Sequence, residues 1–211
     1  MDIAFLLYEN MTSLDLIGPY QVFTLVPGAR IHLVATEVGP VRTDTGIRMH
    51  AERRLEEVSR ADIIVVPGSP DPSKTMGDER VLAWLRNLDS GSKWTTSVCT
   101  GSLILGAAGL LQGKRATTHW MMTDMLKNFG ATPVAERVVF DGKLVAAAGV
   151  SAGIDMALSL VAREFGDLLS QTIQLGIEYD PAPPFSTGSL RSAPPEVIEA
   201  SKKLLAQALL S

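Results

Sequence analysis

The stretch TSVCTGSLILGAAGLL, residues 96–111, contains the only cysteine of the chain, and its reading decides the fold. The residues before that cysteine, WTTSV (94–98), are β-branched and aromatic over the length of one strand. Those after it, TGSLILGAAGLLQG (100–113), read as a helix whose glycine and alanine faces let its backbone approach a sheet closely. Cys99 therefore stands at a strand-to-helix turn. Ser97, Thr100, Gly101 and Ser102 are small enough for the tight turn on which a nucleophile is mounted above a sheet. At a helix start the thiol meets unpaired backbone N–H groups and the positive end of the helix dipole, which predicts a lowered pKa and a thiolate. The competing reading is a small buried hydrophobe, the usual state of a single cysteine. Local sequence leaves both open.

Working outward, IAFLLY (3–8), IHLVATEV (31–38) and ADIIVV (61–66) are further strands, two of them continuous apolar runs of the kind buried on both faces of a parallel sheet. Helical spacing marks LDLIGPYQVF (14–23), DERVLAWLRNLDSG (78–91), TTHWMMTDMLKNFG (117–130), SAGIDMALSLVAREFG (151–166) and DLLSQTIQLGIEY (167–179). Gly18-Pro19 inside the first of these predicts a late start or a kink. VRTDTGIRMHA (41–51) and RVVFDGKLVAAAG (137–149) read as hairpins, the second turning at Asp141-Gly142. A Pro-rich arm, DPAPPFSTGSLRSAPP (180–195), precedes a closing helix, PEVIEASKKLLAQALL (195–210). Strands alternating with helices predict an α/β protein with an open, mostly parallel central sheet covered on both sides. We read residues 1–211 as one domain, with 178–211 as an arm and closing helix that contacts a second subunit.

The formal charge of −4, without a Lys/Arg cluster, gives no nucleic-acid footprint. One cysteine excludes an intrachain disulfide and any metal site built from several cysteines. The opening MDIAFLLYENM has an apolar run too short for a signal or a membrane span, so no membrane partner and a cytoplasmic location are expected.

SVCTGSLILGAAGLLQGKRATTHW (97–120) resembles the ThiJ/PfpI superfamily, which implies a flavodoxin-like three-layer sandwich with its cysteine on a nucleophile elbow. More narrowly, SLDLIGPYQVF (13–23), AGVSAGIDMALSLVA (148–162) and IEYDPAPPFSTGS (177–189) resemble the isonitrile (isocyanide) hydratase branch, and also the ligand domains of AraC-type regulators. The branch resemblance implies hydration of a small apolar isonitrile by water to an N-formamide, through a Cys99 thioimidate, in a homodimer without metal or organic cofactor. It further implies Asp15 as the general acid and base, although Ser13 and Asp15 are also ordinary helix-capping residues. By the same resemblance the Val150 N–H donates to the sulfur, and His119 supports the site without taking the acid role.

Other positions are weighed on their chemistry. The Thr100 hydroxyl either bonds Asp15 or water, or caps the first helical turn. Gly68, in PGSPDP (67–72), offers a backbone N–H to the reacting centre. Many superfamily members carry a second glycine at that turn; here it is Ser69, followed by Pro70 with no donor. Trp120 and Phe185 are candidates for an apolar substrate pocket, or simply for the core. His32, in a strand, and His50, near a hairpin end, are read as structural or solvated. The alternatives to hydration are a glyoxalase- or deglycase-like activity and a ligand- or redox-sensing module.

Overall fold

Apolar strand runs and amphipathic helices alternate along the chain. β1 (Asp2–Leu6) leads to α1 (Ser13–Phe23), β2 (Arg30–Ala35), β3 (Gly39–Arg42), β4 (Arg48–Ala51), the short β5 (Arg53–Arg54) and β6 (Ile63–Val66). Then come α2 (Ser73–Met76), α3 (Glu79–Gly91), β7 (Trp94–Val98) and α4 (Gly101–Ala107). The remainder is β8 (Arg115–Ala116), a 3-10 helix (Trp120–Phe129), β9 (Thr132–Pro133), β10 (Val138–Asp141), β11 (Leu144–Ala147), α5 (Ala152–Phe165), α6 (Asp167–Gly176) and α7 (Pro195–Ala208). This is a computed structural model, and it describes residues 1–208. Leu209 and Leu210, expected to end the closing helix, lie outside the described residues. The chain divides into two compact units, Met1–Ile177 with all of the strands and α1 to α6, and a second that begins at Glu178 and carries α7.

Seven strands form the central sheet in the order β10-β11-β7-β6-β1-β2-β5. Every neighbouring pair is parallel except β10 and β11, which form the expected hairpin around Gly142 at φ 63°. The four middle strands β11, β7, β6 and β1 are almost wholly buried, because helices cover both faces. α1, α5 and α6 pack together as one layer, and α2, α3 and α4 as the other. The 41–51 hairpin is a separate two-stranded sheet of β3 and β4. Register places Val66 opposite Ser97 and Val98 opposite Ala147, so β6, β7 and β11 end at one edge. In such sheets that edge is where ligands are met.

Two helices differ from the sequence reading, and a third runs on through its proline: α1 spans Ser13–Phe23 with Pro19 inside it, so it does not start late. Proline withholds one helical N–H, yet Gly18 and Pro19 together let α1 lie against α5: a Cβ on Gly18 would stand 3.0 Å from Ile154 Cγ1, and one on Gly153 would stand 3.0 Å from Pro19 Cδ. α4 stops at Ala107 instead of reaching 113, because Gly109 and Gly113 take φ of 81° and 71°, outside the helical region. The 117–130 segment is 3-10 rather than α, and it ends at the left-handed Gly130.

The sharpest steric demand is at Gly101, where a Cβ would fall 2.1 Å from the Val66 carbonyl oxygen. Backbone cannot yield there as a flexible side chain would. Gly101→Ala is expected to lower stability by about 3 kcal/mol or to prevent folding, as read from urea unfolding midpoints.

Candidate active site

Cys99 is one of the three non-glycine residues at positive φ among the described residues, at 57°. A side chain there costs of order 1–3 kcal/mol, so the surroundings must hold it. Its N–H is shared between the carbonyls of Ala147 and Ala148, each at 3.1 Å, at the end of β11. Its carbonyl accepts from Thr118 Oγ1 at 3.0 Å and from Ser102 Oγ at 3.1 Å. The elbow is thus pinned on both sides of its strained Cα. The thiol points into the interior and leaves Cys99 only 5% exposed.

Asp15, in the first turn of α1, is fully buried. Thr12 is the N-cap, and its hydroxyl makes no capping bond but donates to Asp44 Oδ2 at 2.8 Å. Asp15 does not serve as a cap. Its Oδ2 accepts from the Gly68 N–H at 2.9 Å, across the turn after β6. Gly68 is required here because a Cβ would fall 2.5 Å from Thr100 N and 3.0 Å from Asp15 Oδ2. Asp15 Oδ1 is buried without a hydrogen-bond partner. The carboxyl neighbours the Cys99 thiol, and each perturbs the other's proton affinity.

Burial pushes the Asp15 pKa up to about 7, against the pull of the Gly68 N–H and the Cys99 thiol; the Asp44 charge adds a little to the rise. Burial, and then the Asp15 charge, push the Cys99 thiol well above its ordinary range, although the Thr100 N–H and hydroxyl act in the opposite sense. The lowered thiol pKa expected from the sequence is therefore overturned. α4 has only seven residues, so its dipole is small beside the cost of burying a second charge near Asp15. The two acids titrate as a pair. Above pH about 7 the pair holds one proton, mainly on sulfur, with the carboxylate poised to take it.

The other expected residues fall in differing places. The Thr100 hydroxyl does not bond Asp15. It donates to the Ser69 carbonyl at 2.7 Å and accepts from the Ser69 N–H at 2.8 Å, tying the 67–70 turn to the elbow. The Gly68 N–H is committed to Asp15 and so is not free for an oxyanion. Val150 lies half-buried in the turn between β11 and α5, and no hydrogen bond from its N–H to the sulfur occurs among the described residues. His119 caps the 3-10 helix, with Nδ1 accepting from the Met121 N–H at 3.4 Å, and burial lowers its pKa. The half-buried Trp120 leans on the His119 ring, with 5.7 Å between ring centroids. Phe185 belongs to the second unit and is 75% exposed. His32 bonds Asp2 Oδ1 at 2.9 Å at the opposite end of the sheet, and His50 is exposed on β4. Among the described residues there is no cluster of His, Cys, Asp and Glu able to hold a metal, and no helix is long and apolar enough to cross a membrane.

Sequence reasoning missed Thr118 and Ser102 as clamps, and it also missed Tyr8. The Tyr8 hydroxyl, buried, donates to the Pro67 carbonyl at 2.9 Å beneath the same turn. A hydroxyl within three residues of a strained turn, as Ser102 is, was the available signal; Thr118 and Tyr8 come from distant segments that only the sheet brings together.

A doubly covered parallel sheet with a cysteine elbow at its carboxyl edge, facing a buried carboxyl, defines the class of elbow-cysteine α/β proteins. Residues 1–163 match the DJ-1/PfpI family, and the chain belongs to that family. It is 44% identical over 209 residues to the isonitrile hydratase of Pseudomonas putida, covering 99% of this chain and 92% of that one. It is 31% identical over 143 residues to an HTH-type transcriptional regulator of Pseudomonas aeruginosa, covering 67% of this chain and 42% of the regulator. A ThiJ/PfpI family protein from Pseudomonas syringae superposes with a TM-score of 0.94 at 40% identity, over 98% of this chain and 86% of that chain. DJ-1beta of Drosophila melanogaster shares the fold, with a TM-score of 0.76 at 20% identity over 84% of this chain and 97% of its own.

The raised Asp15 pKa links stability to pH. The folded chain holds this proton up to pH about 7, whereas the unfolded chain releases it near the ordinary value of 3.8. The contribution is present in full below that lower value and is lost as pH rises through 7. Asp15→Asn mimics the protonated form at every pH. It is expected to match wild type near pH 4 and to be the more stable protein at pH 8.5, by at most about 4 kcal/mol. Urea unfolding at the two pH values measures the difference.

Proposed function

We propose that the chain is a cofactor-independent isonitrile hydratase, a lyase that converts R–NC and water to R–NH–CHO. The observation that carries this reading is the buried Asp15 carboxyl set against the Cys99 thiol on its strained elbow. The likeness to the Pseudomonas putida hydratase over nearly the whole length supports it.

The geometry suits an addition in which one proton is given and later taken. Asp15, as carboxylate, takes the thiol proton while the Cys99 sulfur bonds to the terminal carbon of the isonitrile. That proton then passes from Asp15 to the same carbon, giving the thioimidate R–N=CH–S–Cys99. Asp15 is again a carboxylate and accepts a proton from water as the water oxygen bonds to the carbon. The C=N electron pair moves to nitrogen, which receives this proton. The resulting R–NH–CH(OH)–S–Cys99 collapses: the C–S bond breaks, its electron pair leaves on sulfur, and the hydroxyl proton returns to Asp15. The pair is left with the single proton it began with.

The homodimer belongs to the same proposal. On α6, Leu168 and Leu175 are 80% and 78% exposed, an apolar surface that a second copy would cover. The expected cytoplasmic setting also belongs here, since the cytoplasm keeps thiols reduced and this mechanism needs a free one.

Purified protein mixed with an aryl isonitrile is expected to yield the formamide, with Cys99→Ala and Asp15→Asn each reduced by at least about 10³-fold. Turnover retained by either variant would overturn the mechanism. Conversion of methylglyoxal without conversion of isonitrile would favour an oxoaldehyde substrate instead. Below pH about 7 the pair holds two protons and lacks its base, so kcat/KM should rise with pH through about 7. It should then hold level until the thiol proton is lost, well above the ordinary cysteine range. Initial rates from pH 5 to 9 test the sign.

A further inference from the structure

The turn after β6 carries a hydroxyl that the scheme above leaves unused. Ser69 is 2% exposed, and its Oγ is buried without a hydrogen-bond partner. Its backbone is fixed, because the N–H and the carbonyl both bond Thr100 Oγ1, in the residue following Cys99. The preceding residue, Gly68, donates to Asp15 Oδ2. The Ser69 hydroxyl faces the Tyr8 phenol oxygen, which gives its own proton to the Pro67 carbonyl and can take one from Ser69, leaving the Ser69 lone pairs to accept. The bonds from Gly68 to Asp15 and from Ser69 to Thr100 thus bring this turn against the surroundings of both members of the acid pair.

Two buried acceptors here lack a donor, Ser69 Oγ and Asp15 Oδ1. Buried polar groups are rarely left so, and a small molecule that can donate to both satisfies such a pair best. Thr100 cannot supply the donor, since its single hydroxyl proton goes to the Ser69 carbonyl.

We propose that Ser69 Oγ and Asp15 Oδ1 together hold the water that attacks the thioimidate carbon, which makes Ser69 a water-orienting residue for the second half of the reaction. The inference rests on the isonitrile reading above. In the step concerned, the water oxygen forms the new C–O bond, one water proton goes to the Asp15 carboxylate and on to the substrate nitrogen, and the other remains on oxygen. Ser69 accepts a hydrogen bond from the water proton that is not transferred, and so aims a lone pair at the carbon. Formation of the C–S bond makes no use of this hydroxyl. Loss of Ser69 Oγ should therefore slow hydrolysis and leave thioimidate formation intact.

The test uses Ser69→Ala and Ser69→Gly with an aryl isonitrile, comparing steady-state rates with intact mass during turnover. The expected result is kcat lower by about 10- to 100-fold in both, a melting temperature in Ser69→Ala equal to or above wild type, and accumulation of a Cys99 adduct heavier by one substrate molecule. Wild type should show no such adduct. Full kcat and no adduct in both variants would overturn the proposal, and so would a raised KM at unchanged kcat, which would make the hydroxyl a substrate contact. If wild type itself leaves the isonitrile untouched, the functional reading fails and the inference fails with it.

Discussion

Two acids buried side by side with one proton between them are the constraint on which this site depends. In water a carboxyl of ordinary pKa is a poor base for a thiol. Here burial raises both affinities, and the Asp15 charge raises that of Cys99 further. A raised carboxylate pKa makes Asp15 a better base and a willing donor near neutrality. The thiol is not a standing thiolate; its nucleophilicity appears when Asp15 takes its proton, at the moment a carbon is in reach. Such a cysteine depends on its partner more than one activated by a helix dipole would.

That arrangement is costly, and the fold meets the cost locally. Cys99 at φ 57° is held at its N–H by the Ala147 and Ala148 carbonyls, and at its carbonyl by the Thr118 hydroxyl and by the hydroxyl and N–H of Ser102. Thr100 ties the elbow to the turn after β6, and Gly68 ties that turn to Asp15. Five chain segments distant in sequence therefore close on one another through short polar contacts. The glycines are steric requirements of the same closure: Gly101 lies beneath Val66, and Gly68 lies between Thr100 and Asp15.

Much of the fold was legible because it rests on local pattern. Continuous apolar runs gave the inner strands, and the Asp141-Gly142 turn gave the antiparallel edge. The elbow was legible from small residues flanking a strand-ending cysteine. Harder to read was whatever depends on two distant segments meeting. Thr100 looked free to bond Asp15, and only the turn after β6 shows that Ser69 occupies its hydroxyl on both sides. The direction of the Cys99 shift was misjudged because helix length and burial are three-dimensional quantities; a fourteen-residue helix was expected where seven residues form. That α1 runs through Pro19 has a related reason, since close approach to Gly153 on α5 accompanies the proline.

The remaining titratable neighbours narrow the chemistry further. Burial keeps Tyr8 protonated, and its proton is given to the Pro67 carbonyl, so it props the turn and does not exchange with the pair. Burial lowers the His119 pKa, and its Nδ1 is occupied by the Met121 N–H, which leaves the imidazole neutral and engaged at neutral pH. Asp44 is held by the Thr12 hydroxyl and the Thr45 N–H, and it acts on Asp15 through charge alone. Asp15 is thus the group near the thiol whose proton affinity lies close to neutral pH. Proton delivery and removal must both pass through it, which is why a single carboxyl serves each half of an addition across carbon.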